Sequence, residues 1–359
     1  MFQLKEKVLG QKKSSQECTS IRNPDGGNII TDRKEILKAT LKYCKDLLTN
    51  SEPSKDFEDD FKTKLMVHAK RMKEREEEYE MCLTYDMYQD TLEELAKKKG
   101  EKYEFILKSG PSLKNAIYKL FVSVWKTERK PEEWRKTSII QIPKGKTESG
   151  NLNNMRNIHL KEPIPKMFGH IIMNQVKEKL MKNMTKYQLG TKTGHRPQEH
   201  IFVIKSMIAM NQKYKKGMII NLYDISKFFD RENLPDVLGE AYPAGLKGKY
   251  YRLMHELNKD TIIKVKTAIG ETKEVEVGAG LGQGGVESAV LSALSLSKGV
   301  QLYFSDSTCD MHYGNVPLKA IMWQDDLMKP LYTLKEAQDC NWRMEAVLDS
   351  KLLSFNLSK

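Results

Sequence analysis

Met218-Ile219-Ile220-Asn221-Leu222-Tyr223-Asp224-Ile225-Ser226-Lys227-Phe228-Phe229-Asp230 is the stretch around which the chain is organised. A short apolar run after Lys215-Lys216-Gly217 reads as a buried strand, and it delivers Asp224 at its end. A carboxylate there is costly unless something compensates it. A helix N-cap is the ordinary explanation. A second acidic site argues for more: Asp325-Asp326 sits in Trp323-Gln324-Asp325-Asp326-Leu327-Met328, with apolar residues on both sides. Carboxylates from two distant stretches can converge on divalent metal. Mg²⁺ takes oxygen ligands, one or two carboxylates among them, and completes its shell with substrate phosphates.

Tyr223 to Asp230 resembles the first palm motif of reverse transcriptases: Asp, an aromatic residue five positions on, and a second Asp. Trp323-Gln324-Asp325-Asp326 resembles their aromatic-x-Asp-Asp hairpin. Between them, Gly280-Leu281-Gly282-Gln283-Gly284-Gly285-Val286-Glu287-Ser288 resembles the Gln-Gly template motif. The order of the three motifs makes the resemblance specific. In detail it is to the non-long-terminal-repeat (LINE-like) retrotransposon enzymes, over roughly residues 85 to 359.

The resemblance implies an α+β right-hand fold of fingers and palm, with a small antiparallel palm sheet packed on helices. It implies RNA-templated DNA synthesis by two-metal nucleotidyl transfer, with Mg²⁺ (Mn²⁺ as a substitute), an RNA template, a DNA primer and deoxynucleoside triphosphates. Asp224, Asp325 and Asp326 would be the catalytic and metal-binding residues. Ile142-Pro143-Lys144 and Asn154-Met155-Arg156-Asn157-Ile158 resemble the fingers elements that bring Lys144 and Arg156 to the incoming triphosphate. Phe229 matches the aromatic gate that excludes a 2′-hydroxyl. Gly282, Gln283 and Gly284 fall where the template is met, and Gln283 also lies near the nucleotide. Asn356-Leu357-Ser358-Lys359 resembles the next motif, whose lysine, here Lys359, lies near the triphosphate. Asp230 is read as an ion-pair or cap residue rather than a catalytic one. Two motifs depart from the pattern: Val286 stands where Pro is usual, and Trp323-Gln324 precedes the acidic pair. The chain reaches no thumb motif, so a thumbless fragment or an inactive RNA-binding relic is the alternative expectation.

Composition agrees with a polyanionic partner. The formal net charge is +12, and neutralisation of phosphates by Lys and Arg drives nucleic-acid binding. Simple solubility would explain the charge equally well. The five cysteines are scattered without zinc spacing, which suggests a reducing compartment and no structural metal. No signal peptide or membrane span is legible, so an intracellular site without a membrane partner is expected. No protein partner can be inferred.

In chain order, 1–60 reads as an extension with one helix over 33–49, capped by Asp32, with Leu37, Leu41, Cys44 and Leu48 on its inner face. Residues 61–110 read as a charged helical region, 111–217 as fingers-like and 218–359 as palm. Charge runs such as 61–81 usually mark solvated faces. Leu113, Ala116, Ile117, Leu120, Phe121 and Val124 form one helical stripe, residues 154–158 a loop, and 201–208 a helix packed under the sheet. His195 and His200 are separated by Pro197 and read as loop or cap residues.

Gly280, Gly282 and Gly285 also match a dinucleotide fingerprint, with Asp306 about 20 residues on. The preceding Lys273-Glu274-Val275-Glu276-Val277 alternates, which suits an antiparallel sheet with one wet face. A dinucleotide-binding first strand would be apolar throughout.

Overall fold

The structure, a computed structural model, describes residues 20–22, 27–49, 51–75, 82–99, 101–144, 150–278, 280–285, 287–304, 311–313 and 315–356. The elements in chain order are β1 (Ile21–Arg22), β2 (Ile29–Ile30), α1 (Arg33–Leu47), α2 (Glu58–Arg71), α3 (Tyr85–Lys99), α4 (Glu101–Lys108), α5 (Pro111–Thr127), β3 (Lys136–Pro143), β4 (Met155–Leu160), α6 (Pro163–Lys182), α7 (Pro197–Lys213), β5 (Ile219–Tyr223) and α8 (Phe228–Arg231). There follow α9 (Leu234–Ala241), α10 (Gly248–Asn258), β6 (Thr261–Thr267), β7 (Gly270–Glu271), β8 (Val275–Val277), α11 (Ser288–Phe304), β9 (Met311–Tyr313), β10 (Val316–Leu318), β11 (Ile321–Trp323), β12 (Asp326–Leu331) and α12 (Leu334–Asp349).

Several small sheets are packed among helices, a mixed α+β architecture. One antiparallel sheet has the order β11-β12-β5. A mixed sheet runs β4-β3-β6-β7, with β8 also on β6, and its β3–β6 pair is parallel. The three-stranded sheet buries one face. Tyr223, Leu327 and Leu331 pack there against Leu296, Val300 and Phe304 of α11 and Met344, Val347 and Leu348 of α12. The largest core joins α3, α5 and α6 to α9, α10 and α11, around Tyr88, Phe121, Phe168 and Leu291. Among the described residues no helix is long and apolar enough to cross a membrane.

Local chemistry explains the element starts. The Asp32 carboxylate accepts from the Lys34 and Glu35 amides at 2.9 Å each, an N-cap worth about 1 kcal/mol. Thr84 accepts from the Met87 amide at the start of α3. Thr333 and Glu336 cap α12 reciprocally.

Several expectations need correction. Residues 155–160 are a strand rather than a loop, pairing Arg156 with Ile142. The pattern is inverted there, since its buried positions include the polar Asn157 and His159. Of the expected α1 stripe Cys44 and Leu48 are buried, while Leu37 and Leu41 are only half-buried and Ile36, Thr40 and Leu47 turn inward beside them. In α5 the stripe turns toward Trp125, leaving Leu113 and Leu120 exposed. The strand β5 lies at a sheet edge, and Leu222 on it is 71% exposed. In α7 Met207 is buried, while Ile201 and Phe202 are exposed. The charged α2 is docked: Lys64 Nζ lies 2.9 Å from Asp236, and Arg71 donates to the Gly239 carbonyl at 2.9 Å. Lys359, with Leu357 and Ser358 of its motif, lies outside the described residues, as do Val286 and Asp306.

Candidate active site

The acidic residues meet at one end of the three-stranded sheet. Register does this: Tyr223 faces Leu327 across β5 and β12, and Trp323 faces Asp326 across the hairpin. Asp224 is the next residue after β5, so it stands at the same sheet end as Asp326. The hairpin turn has two residues, Gln324 and Asp325, and Gln324 holds a left-handed φ of 61°. Such a turn matches the twist of the flanking strands.

Electrostatics record the proximity. Burial pushes the Asp325 carboxyl above its ordinary range, and the charges of Asp326 and Asp224 add to that push. Its own backbone amide and the Lys144 ammonium oppose it. Asp224 is fixed from the C-terminal side: the Asn356 amide donates to its carbonyl at 2.9 Å, and Asn356 Nδ2 donates to its Oδ2 at 2.5 Å. Asp224, Asp326, Trp323, Leu222, His200 and Phe355 line a cleft of about 1100 Å³ between α7 and the open sheet face.

The basic candidates come from the neighbouring sheet. Lys144 directly follows β3, its amide donating to the Asn154 carbonyl at 2.8 Å, and its charge reaches both Asp325 and Lys227. Burial lowers the Lys227 ammonium to about 8, with Lys144 adding to the effect. Lys227 Nζ donates to the Met155 carbonyl at 2.6 Å, tying the segment after Asp224 to β4. Arg156 follows on β4 and is exposed. Phe229 is half-buried, its ring edge-on to Phe228 at 5.3 Å, and its carbonyl accepts from Leu281 at 3.1 Å.

The glycine stretch packs on β4 and on the segment carrying Asp230. Gln283 presents its carbonyl to the His159 amide at 2.8 Å. Gly282 has a φ of 69°, and a Cβ there would lie 2.8 Å from His159 Nδ1. The space left by that glycine is therefore taken by His159. Gly284 is exposed and Gln283 half-buried.

Asp230 is buried at 6% exposure. Its Oδ2 accepts from Asn157 Nδ2 at 3.3 Å, and its Oδ1 lies 3.6 Å from His159 Nε2 with neither atom otherwise hydrogen-bonded. Gln141 continues the chain, donating to Asn157 Oδ1 at 3.2 Å and to Cys44 Sγ at 3.6 Å. Burial, with the Asp230 charge behind it, pushes the Cys44 thiol up to about 12, so this thiol stays protonated and inert. Asn157 and Asn356 fall inside stretches quoted for the resemblance but carry no role of their own there, and His159 was not singled out. No local signal marks their contacts, because each acts on a residue about 70 to 130 positions away.

Among the described residues, no three His, Cys, Asp or Glu side chains form a group that could hold a metal ion by themselves. The donor set still fits Mg²⁺. This ion needs one or two protein carboxylates and takes the rest of its shell from water and phosphate, and the crowding at Asp325 is of the kind a cation relieves.

No protein-family model matches the chain. Among solved structures it is similar to telomerase from Candida albicans in complex with the TWJ fragment of telomeric RNA, with 13% identity and a TM-score of 0.47. That match covers 69% of this chain and 47% of the telomerase chain. The chain thus spans about half the length of the protein it matches, and a likeness of this degree assigns neither fold nor function.

Proposed function

We propose that the chain carries the fingers and palm of a reverse transcriptase of the non-long-terminal-repeat retrotransposon kind, performing RNA-templated DNA synthesis. The observation that supports this best is the meeting of Asp224 with Asp325 and Asp326, drawn from stretches about 100 residues apart, with Asp325 under the charge of both others. Asp224 and Asp325 would hold the metal, and Asp326 would support them. When bound, paired Mg²⁺ ions would activate the primer 3′-hydroxyl and steady the departing pyrophosphate. The chain's own task is placement. The β5 end and the β11–β12 turn aim the carboxylates. Lys144, Arg156 and Lys359 supply fixed positive charge for the triphosphate. Phe229 would close the space a 2′-hydroxyl needs, and Gln283 with Gly282 and Gly284 would meet the template. The net charge of +12 suits RNA and DNA partners.

A second reading, an RNA-binding relic without catalysis, has one observation in its favour: Asn356 Nδ2 already occupies Asp224 Oδ2. Primer extension on an RNA template with Mg²⁺ or Mn²⁺ separates the two. Deoxynucleotide incorporation by the wild type that disappears in Asp325→Ala/Asp326→Ala supports the polymerase. Salt-sensitive RNA binding without extension by either protein supports the relic.

A further inference from the structure

The acidic turn is gripped from behind by a residue outside all three motifs. Gln188 is fully buried, at 0% exposure. Its side-chain amide lies against the backbone of Gln324, the turn residue directly before Asp325. Nε2 donates to the Gln324 carbonyl at 3.0 Å, while Oε1 accepts from the Gln324 amide at 2.9 Å and from the Gly190 amide at 3.0 Å. Reversing the amide would set donors against donors, so the network fixes its orientation. The surrounding backbone adds to the grip. Leu189 donates to the Met322 carbonyl and Met322 to the Tyr187 carbonyl, both at 3.1 Å. Gln324 Nε2 donates in return to the Gly190 carbonyl at 3.0 Å.

The approach is as close as backbones allow. A Cβ on Gly190 would stand 2.4 Å from the Gln324 nitrogen, so no side chain fits there. Gln324 is itself held at a φ of 61°, a conformation that L-residues adopt reluctantly and that persists where surroundings impose it. An apolar residue at 188 could fill the same space. A buried amide that accepts from the Gln324 N–H and donates to the Gln324 C=O does more: it holds both peptide units that flank the Gln324 Cα, the second of which leads into Asp325. In a two-residue turn, fixing the first residue leaves the second little freedom.

We propose that Gln188 is a positioning residue for Asp325, locking the turn so that the Asp325 carboxylate stands beside Asp224. This rests on the reading of Asp325 as a metal ligand. Groups that orient a ligand without touching the ion typically contribute about 10- to 100-fold in metal affinity.

The test uses the full chain, with Gln188→Leu to remove the hydrogen bonds at similar volume and Gln188→Glu to keep the acceptor oxygen. Two quantities are measured: Mn²⁺ affinity by electron paramagnetic resonance, with Asp325→Asn as reference, and hydrogen exchange across residues 321–327 against that of 136–143. The expected result for Gln188→Leu is exchange accelerated in 321–327 alone, with Mn²⁺ affinity at least about tenfold weaker. Gln188→Glu falls between Leu and wild type on both. Where Asp325→Asn weakens Mn²⁺ binding, unchanged Mn²⁺ affinity in Gln188→Leu overturns the proposal, whatever its exchange. Exchange that rises equally in both segments, with Gln188→Glu binding Mn²⁺ like the wild type, also overturns it, leaving a merely structural glutamine. If wild type and Asp325→Asn bind Mn²⁺ alike, the metal reading of Asp325 fails instead. Selective loss of protection in 321–327 then still supports the lock, and unchanged protection overturns it.

Discussion

Gly282 shows how much of this site is settled by single residues. Its φ of 69° and the 2.8 Å approach to His159 Nδ1 both forbid a side chain, so Gly282→Ala should cost on the order of 1–3 kcal/mol, measured by urea unfolding. Pairing it with His159→Ala should recover part of that loss, because the steric share disappears; no recovery would mean that backbone strain accounts for all of it. Glu232 offers a test of the opposite kind. It is 2% exposed and accepts a hydrogen bond from the Ser292 hydroxyl. Burial pushes its carboxyl well above the ordinary range. A raised folded-state pKa contributes stability that is fully present below the unfolded value and is lost as pH rises through the folded one. Wild type should therefore lose stability relative to Glu232→Gln as pH rises from the ordinary glutamate value, about 4.3, through the raised folded-state value; parallel stability profiles would show that folding does not raise the Glu232 pKa. The three aspartates were legible in the sequence because carboxylates at the ends of apolar runs stand out. Asn157, His159 and Gln188 were not. Each is a polar residue in a buried place, and what makes it useful is a partner far along the chain.

At the scale of elements, buried ion pairs hold the helices behind the sheet. Lys351, 4% exposed, follows α12 and reaches Asp236 of α9 at 3.2 Å, Glu240 at 3.4 Å and Ser295 of α11 at 3.0 Å. Burial alone would push the Asp236 carboxyl up; Lys351 and Lys64 outweigh it and hold it below its ordinary range. Removing one partner of a buried pair leaves the other uncompensated, so Lys351→Met should destabilise by about 3 kcal/mol in urea unfolding. A change near zero would mean that Lys64 alone suffices for Asp236. Helix starts and the acidic hairpin were readable because capping residues and short apolar runs carry their meaning locally. Helix faces were less so: Leu113 and Leu120 fit the α5 stripe yet stay outside, while Trp125 turns in. Periodicity counts apolar residues without knowing which side a neighbour will cover. The strand β4 was missed because Asn157 and His159 occupy inward positions where the pattern calls for apolar ones, and the exposed Ile201 of α7 misled in the reverse sense.

At the scale of the whole molecule, the fold brings two stretches about 100 residues apart to one sheet end, sets a basic neighbour beside them and opens a cleft along the exposed strand face. The mixed α+β class was legible from the alternation of strands and helices. The joining of β3 to β6 in parallel was not, since long-range pairing leaves no mark in either segment. What unites residue, element and molecule is the claim that Asp224 and Asp325 act as one unit. Residues that act as a unit are non-additive in kinetics: losing one costs about as much as losing both. The most direct measurement is single-turnover deoxynucleotide incorporation on a primed RNA template by Asp224→Asn, Asp325→Asn and the double variant. The expected result is a loss of at least about a thousandfold in each single variant, with no further loss in the double. Wild-type rates in either single variant, or losses that multiply in the double, would contradict a shared catalytic site.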